Sequence, residues 1–584
     1  MATAIPAVAH ASEPSADAKF PTASAAPKGD GIPDQLDGDQ RAAYRAVFAA
    51  IRAGRWSDAQ IQLDAMKPGP LHAAARAELY TAKGSPRVEL APLVALIAEA
   101  PEMPRAAQLA RLAKTRGAEA LPELPLEQKL IWFDGAPNRR RASTVRSDAA
   151  AAALTNLMQP FIKEDRGSEA EALVESRAGQ LTPEALTEWR QRVAWIYYAA
   201  GDDASARRVS ALAQGGSGEW AAQADWVAGL SAWRLKDFPS AAAAFAGVAR
   251  RAADADLRAA GLYWAARADM AAGRPDLVQQ RLQGAAQFSE SFYGQLARQA
   301  LGVTAPLTAA GEKTTADDWR DLSRRPNVRV AAALVEIGET DLADEVIRQQ
   351  AKIGAGDYDA LTRLAGRMNL PTTQLWLSHN RPAGAQPTMA TRYPAPNWTP
   401  DGGWRVDKSL VFAHTLQESR FRAAVVSPAG AYGLMQIMPA AATDFSRERG
   451  VTVDRAALTR PSTNMEVGQR HLERLRDMGI TGGLLPKVIA AYNAGPLPVS
   501  VWNAQARDGG DPLLYIESIP YWETRGYVMT VLRNYWMYEG QAGKNSTSRA
   551  ALAQGLWPKF PGMTGAGAVR VSARSGGGTT SGAN

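Results

Sequence analysis

Apolar residues recur with a helical period along the first half of the chain, and short polar turns divide the periodic stretches. Four of these turns are AGRWSDA (53–59), AGDDASA (200–206), LKDFPSA (235–241) and AGRPDL (272–277). Each turn joins two stretches long enough to form a helix. The pattern therefore predicts repeated pairs of helices from about residue 39 to about residue 300.

The last three of these turns are separated by roughly 35 residues, a period typical of paired-helix repeats that stack into a solenoid. The helices before them carry large aromatic residues at Trp195, Trp233 and Trp264. We expect these rings to fill gaps between neighbouring helices, with a ligand-binding aromatic stripe as the alternative interpretation.

Composition supports a helical protein of several domains. A chain of 584 residues is too long for a single core, and its abundant alanine favours closely packed helices. The fold class we predict is all-α, with an N-terminal helical-repeat superhelix, a small helical linker domain and a further α-rich domain at the C-terminal end.

Breaks rich in Gly, Pro, Ser and Thr suggest where the domains begin and end. The predicted segments are a flexible N-terminus (1–38), the helical-repeat domain (39–301), the linker domain (302–392), a C-terminal domain (393–560), to which the chemistry is assigned below, and a disordered Gly/Ser-rich tail (561–584).

Charge and side-chain inventory exclude several classes of function. The net charge of +7 comes from Lys and Arg scattered among acidic residues, so it indicates a solvated surface, and no nucleic-acid partner is expected. Cysteine is absent, which excludes disulfides and thiolate sites. No two histidines have the spacing of metal ligands, and we predict neither a metal site nor a cofactor. The histidines are His10, His72, His379, His414 and His471.

The chain also carries features that bear on its location. No apolar run is long enough to cross a bilayer, so no integral membrane segment is predicted. Ala9-His10-Ala11 resembles a small-residue cleavage site followed by a polar stretch, although a positive region and a full apolar core are missing before it. Either the start of a signal peptide has been trimmed or the match is fortuitous. We predict an exported, periplasmic bacterial protein.

The segment LQESRFRAAVVSPAGAYGLMQIMP (416–439) contains a single acidic residue, Glu418. A helix from Asp407 to about Arg420 would place Glu418 on the same side as apolar residues. Burial there would raise the pKa of the carboxyl, as a general acid for glycosidic cleavage requires. The alternative is a buried Glu hydrogen-bonded to a helix end. The residues on that side are Leu410, Val411, His414, Glu418 and Phe421.

Two further segments supply polar residues for a cleft. SPAGAYGLMQIMP predicts a tight turn and a short helix that bring Ser427, Gln436 and Met438 together. AAYNAGP ends a helix, which leaves Tyr492 and Asn493 at its end with their polar tips available to a cleft.

Four blocks resemble the motifs of the family 23 lytic transglycosylases, in the same order and with similar spacing. They are ES (418–419), GLMQ (433–436), AYNAG (491–495) and IPYWETRGYV (519–528). The helical repeats and SFYGQLA (291–297) are similar to the soluble periplasmic members of that family. The resemblance implies a lysozyme-like catalytic domain and a ring-like superhelix that guides glycan strands.

By this resemblance Glu418 is the sole catalytic acid and base. The residues implied to line the glycan cleft or orient the sugar are Ser427, Gln436, Met438, Tyr492, Asn493 and Glu523. An acid in the first turn of a helix also complements the helix dipole, which is a second explanation for Glu523.

The implied activity is lytic cleavage of the bond between N-acetylmuramic acid and N-acetylglucosamine in peptidoglycan, with formation of 1,6-anhydro-N-acetylmuramic acid. A single carboxyl suffices because no water is activated. Two alternatives stay open: a hydrolytic, goose-type lysozyme and a helical scaffold that only binds glycan. The expected partner is the peptidoglycan glycan strand, the expected state is a monomer, and the sequence identifies no protein partner.

Overall fold

The computed structural model describes residues 32–303, 305, 307, 316–354, 356, 358–385, 388–505 and 507–571. These residues form 28 α-helices and four strands of two or three residues, which confirms the predicted all-α class. Ala9-His10-Ala11, most of the predicted N-terminal segment and the last 13 positions of the predicted tail (572–584) lie outside the described residues. No helix in the described ranges is both long and apolar enough to cross a bilayer.

The first fifteen helices and one strand precede residue 301. Their bounds are α1 (Gly38–Arg52), α2 (Trp56–Ala65), α3 (His72–Thr81), α4 (Leu90–Glu99), α5 (Ala106–Thr115), β1 (Leu130–Trp132), α6 (Ala149–Leu157), α7 (Gln159–Lys163), α8 (Gly167–Glu175), α9 (Pro183–Ala200), α10 (Asp203–Gln214), α11 (Gly218–Arg234), α12 (Phe238–Arg251), α13 (Ala255–Ala271), α14 (Pro275–Ala286) and α15 (Phe292–Ala300).

The remaining helices form a middle group and a C-terminal group. Their bounds are α16 (Ala316–Leu322), α17 (Pro326–Ile337), α18 (Thr340–Ile353), α19 (Tyr358–Arg367), α20 (Pro371–His379), β2 (Asn380–Pro382), α21 (Lys408–Ser419), α22 (Pro439–Arg449), α23 (Pro461–Asp477), α24 (Leu485–Ala494), α25 (Pro496–Gln505), α26 (Pro512–Ser518), α27 (Trp522–Gln541), α28 (Thr547–Ala553), β3 (Trp557–Pro558) and β4 (Ala568–Val569).

All four predicted turns separate consecutive helices, namely α1 from α2, α9 from α10, α11 from α12 and α13 from α14. Small residues let these helices pack closely: a Cβ added at Gly229 of α11 would overlap the ring of Phe245 of α12. Trp264 fills the space between them as expected, fully buried with its ring 5.3 Å from Trp233 and 5.5 Å from Phe245. Trp195 instead lies under the guanidinium of Arg525 in α27, at 4.2 Å.

The beginning of the chain packs against its middle. Buried apolar residues from segments 36–79 and 322–377 form one continuous core. Strand β1 pairs antiparallel with β2, so that Trp132 lies opposite Asn380. The start of the superhelix is therefore in contact with segments some 250 residues further along the chain.

A second core joins the superhelix to the C-terminal helices. It unites buried residues of segments 151–297 and 393–560. At this junction the ring of Phe292 stacks on that of Trp536, with centroids 5.1 Å apart and planes inclined by 20°.

The same junction contains a buried ionic cluster. Arg139, between β1 and α6, donates a 2.8 Å hydrogen bond to Glu517 of α26 and lies 3.5 Å from Asp256 of α13. The hydroxyl of Tyr293 donates to the other oxygen of Glu517 at 2.7 Å. Burial of all these groups makes each one dependent on the others for hydrogen bonding.

Ordered structure continues past the predicted end of the catalytic domain at residue 560. Strand β4 pairs antiparallel with β3, and the backbone N–H of Phe560 donates to the carbonyl of Gly483 at 2.7 Å. These backbone hydrogen bonds fix residues 561–571, which the Gly-rich composition alone does not indicate. The division into domains itself stays a prediction.

Candidate active site

Helix α21 carries Glu418 in its last turn. The side chain of Asp407 caps the helix by accepting a 2.8 Å hydrogen bond from the N–H of Ser409, which confirms the predicted start. Arg420 and Phe421 follow with φ of 53° and 63°, a left-handed conformation that costs non-glycine residues on the order of 1–3 kcal/mol. The buried ring of Phe421 packs against Phe412 at 5.8 Å and holds this conformation.

Glu418 has the environment of an acid that stays protonated near neutral pH. Its pKa is raised to about 7, chiefly by burial and in smaller part by the charge of Glu523, while a hydrogen bond from Tyr527 opposes the rise. The Tyr527 hydroxyl lies 2.5 Å from Oε1 of Glu418. The expected rise of the pKa through burial is thus confirmed.

Tyr527 connects Glu418 to a buried histidine. Its hydroxyl lies 2.8 Å from Nδ1 of His414, one turn before Glu418 on α21. Burial lowers the pKa of His414 to about 3, with neighbouring His471 acting in the same direction, so the imidazole is neutral. The ring of Tyr492 lies 4.6 Å from that of His414.

No role for Tyr527 or His414 was predicted from the sequence. One feature of the sequence could have indicated both residues, namely a spacing of four positions, which places two side chains on the same side of a helix. His414 and Glu418 have this spacing in α21, and Glu523 and Tyr527 have it in α27.

The loop that contains GLMQ is held by one buried asparagine. Gly433 has φ of 73°, and a Cβ there would overlap Asn464 and the carbonyl of Leu458, so only glycine fits. Oδ1 of Asn464 accepts from the N–H of Met435 at 2.9 Å, and its Nδ2 donates to the carbonyl of Tyr432 at 3.0 Å.

Three of the predicted cleft residues lie on and around this loop. Ser427 Oγ accepts a 2.9 Å hydrogen bond from the N–H of Ala431 and closes its own turn. Gln436, with φ of 47°, donates from Nε2 to the carbonyl of Gly433 at 2.8 Å. Met438 is 46% exposed at the start of α22.

The other three lie on α24 and α27. The Tyr492 hydroxyl does not point freely into a cleft, because it donates to the carbonyl of Met435 at 2.7 Å and so ties α24 to the GLMQ loop. Asn493 accepts a 2.7 Å hydrogen bond from Thr524, the neighbour of Glu523. Glu523 is exposed in the first turn of α27.

Helices α21, α24 and α27 therefore meet around one carboxyl. Burial and the charge of Glu418 raise the pKa of Tyr492 well above its ordinary value. This arrangement can donate a proton from Glu418 and take one back. Within the described ranges, no three His, Asp or Glu side chains lie close enough to hold a metal ion.

The region around Glu418 is similar to a known protein family. Residues 400–514 match the family described as Transglycosylase SLT domain. The soluble lytic murein transglycosylase of Salmonella typhimurium is 37% identical over 132 residues, and that of Escherichia coli is 34% identical over 155 residues. These segments cover 22% and 26% of this chain, but only 20% and 24% of the two relatives.

The fold comparison covers most of the chain. The 70 kDa soluble lytic transglycosylase of Escherichia coli superposes with a TM-score of 0.52 and 20% identity, over 90% of this chain and 100% of that one. An inactive mutant of the lytic transglycosylase Slt from Pseudomonas aeruginosa gives a TM-score of 0.51 and 19% identity, over 86% and 87% of the two chains. Residues 400–514 are therefore similar to the Transglycosylase SLT domain, and the chain as a whole has the fold of the 70 kDa soluble lytic transglycosylase of Escherichia coli.

Proposed function

We propose that this protein is a lytic transglycosylase that cleaves the β-1,4 bond between N-acetylmuramic acid and N-acetylglucosamine in peptidoglycan. Glu418 first protonates the oxygen of that bond. Its carboxylate then removes the proton from the C6 hydroxyl of the muramic sugar, whose oxygen closes the 1,6-anhydro ring. The observation that carries the proposal is a buried carboxyl with a pKa of about 7 in the region that matches the Transglycosylase SLT domain.

That pKa suits both steps of the reaction. A group whose pKa lies near the working pH donates a proton readily and also accepts one. Because the sugar's own hydroxyl is the nucleophile, the attack is intramolecular and gains a high effective concentration over water. A second carboxylate to activate water is not required.

We assign the surrounding residues to holding the sugar. Ser427, Gln436 and Met438 lie on and beside the GLMQ loop, and Tyr492 is hydrogen-bonded to the same loop. Asn493 and Glu523 lie where α24 meets α27. All of them fall within residues 393–560, which we propose as the catalytic domain, with residues 39–301 guiding the glycan and residues 302–392 linking the two.

The cellular location and the binding partners that we propose for the protein follow from its proposed substrate, peptidoglycan. Two of the similar proteins are named soluble lytic murein transglycosylases. We place the protein in the periplasm, as a monomer that acts on glycan strands and does not bind nucleic acid.

The products of peptidoglycan digested in H₂¹⁸O test this function. We expect unlabelled muropeptides that end in 1,6-anhydro-N-acetylmuramic acid, detected by mass spectrometry. Reducing ends that carry ¹⁸O would establish the hydrolytic lysozyme instead. Binding of glycan strands without any cleavage product would leave the non-catalytic scaffold.

A further inference from the structure

A second cleft, of about 610 Å³, lies where the superhelix, the segment after β1 and the C-terminal helices meet. Its walls include the start of α13, most of residues 134–142, the end of α20 and the end of α21. None of the site residues assigned above is part of these walls. Gln417 and Arg420 line the cleft and are one and two residues from Glu418 in the sequence.

The cleft presents a fixed aromatic surface. The ring of Trp132 stacks on that of His379, with centroids 4.9 Å apart and planes inclined by 14°. Pairing of β1 with β2 holds the two rings, and Nδ1 of His379 donates to the carbonyl of Phe133 at 2.9 Å. Trp132 nevertheless remains 53% exposed. An indole with one covered face and one free face suits the apolar face of a sugar ring.

A cation lies beside this surface. Arg420 is exposed and lines the same cleft as Trp132 and His379. Arg392 is paired with Glu290. In the part of the chain that the structure describes, Arg420 makes no ion pair. A free planar guanidinium matches the geometry of a carboxylate.

Amide side chains complete the walls. Gln223 of α11, Gln417 of α21 and Asn534 of α27 line the cleft and can exchange hydrogen bonds with hydroxyl or peptide groups. Acidic residues, including Glu219 and Asp254, lie on the superhelix side. The cleft therefore combines an exposed aromatic ring, an arginine able to bind a carboxylate, and amide side chains. Because acidic residues also line it, the cleft is not suited to a simple polyanion.

We infer that this cleft is a second binding site for peptidoglycan, in which a sugar ring covers Trp132 and a carboxylate of the attached peptide stem binds Arg420. The inference rests on the proposed function for its substrate class. A strand held here is anchored at Arg420, directly after α21 and two residues from Glu418. Two attachment points on one strand raise its effective concentration at the cleavage site without any new contact there.

The test uses the full chain with Glu418→Gln and, as its probe, the disaccharide tetrapeptide N-acetylglucosaminyl-1,6-anhydro-N-acetylmuramyl-tetrapeptide. Calorimetric titration should give two sites per chain. Adding Trp132→Ala or Arg420→Gln should abolish one site or weaken it at least about ten-fold, the loss typical of a truncated aromatic or arginine anchor.

The matched control is Ile131→Ala, because Ile131 is 42% exposed on the same strand but does not line the cleft. It should retain both sites. A probe of the same sugars without the peptide, whose lactyl carboxyl is blocked as a methylamide, should bind this cleft more weakly and be insensitive to Arg420→Gln. Thermal melting of each variant shows whether it is folded.

A single site in the Glu418→Gln chain, or two sites unchanged in both cleft variants, would overturn the inference. Digestion of peptidoglycan by the wild-type chain runs in parallel. If anhydro ends form while the titration shows one site, only the second site fails and the proposed function stands.

Discussion

The hydroxyl of Tyr527 lies 2.5 Å from Oε1 of Glu418, although the two residues are 109 positions apart in the chain. A tyrosine hydroxyl has one hydrogen to donate, and His414 Nδ1 lies within reach of the same hydroxyl at 2.8 Å. When Glu418 is ionised, Tyr527 donates to it and His414 donates to Tyr527. The neutral histidine thus supports the carboxylate without adding a charge.

Replacing Glu418 by Gln should abolish most of the activity and preserve the fold. The two side chains are nearly isosteric, but Gln cannot donate and recover a proton. Loss of general acid–base catalysis costs on the order of 10²- to 10⁴-fold in rate. Release of anhydro-muropeptides from purified peptidoglycan measures the effect. Activity within a few-fold of wild type, in a variant shown to be folded, would exclude the assigned role.

The rate of the wild-type enzyme should fall as the pH rises through about 7. The first step requires protonated Glu418, whose pKa is raised to about that value by burial. Tyr527→Phe removes a hydrogen bond that lowers this pKa, so the alkaline limb of the pH–rate profile should move to higher pH, with a lower maximum.

A suitable control for Tyr527→Phe is Tyr538→Phe on the same helix, whose buried hydroxyl donates to the carbonyl of Pro394 at 3.0 Å. It loses one buried hydrogen bond without touching Glu418 and should leave the position of the alkaline limb unchanged. An unshifted limb in Tyr527→Phe would show that this hydroxyl does not tune the carboxyl.

Local patterns in the sequence were enough to predict the helices of the site. Asp407 at a helix start, apolar residues on the side of Glu418 and Gly495 after AYNA all lie within a few residues of what they control. The contact of Tyr527 with Glu418 and the bonds of Asn464 to the GLMQ loop could not be predicted, because each joins segments that only tertiary packing brings together.

The ionic cluster that joins the superhelix to the C-terminal helices could not be predicted either, because its members come from distant segments of the chain. Arg139 lies in a segment without periodicity, and its partners Asp256 and Glu517 are 117 and 378 residues away. A charged residue in such a segment is ordinarily solvated. Only the fold shows that its side chain is 5% exposed.

Removing that arginine should destabilise the protein strongly. Arg139→Met leaves the carboxylates of Asp256 and Glu517 buried without their cation, and breaking a buried ion pair costs about 3–5 kcal/mol. Urea unfolding followed by circular dichroism should show an earlier transition. Arg140→Met is the control, because Arg140 is 81% exposed and 3.9 Å from an equally exposed Asp134. Equal midpoints for both variants would show that the buried cluster does not stabilise the junction.

The raised pKa of Glu418 also predicts how stability depends on pH. Between the ordinary value of 4.5 and about 7, the folded chain keeps a proton on Glu418 that the unfolded chain has released. Because the folded state binds more protons in this window, its stability falls as the pH rises, by on the order of 3 kcal/mol in total. Glu418→Gln carries no charge at any pH and avoids this loss. The variant should therefore melt at the same temperature as wild type near pH 4 and at a higher temperature near pH 8.

Glu539, whose pKa burial also raises to about 7, is present in both proteins and cancels in the comparison. Melting curves measured by calorimetry across that range decide the matter: a difference that is constant with pH would mean that Glu418 is not held in a site that disfavours its charge.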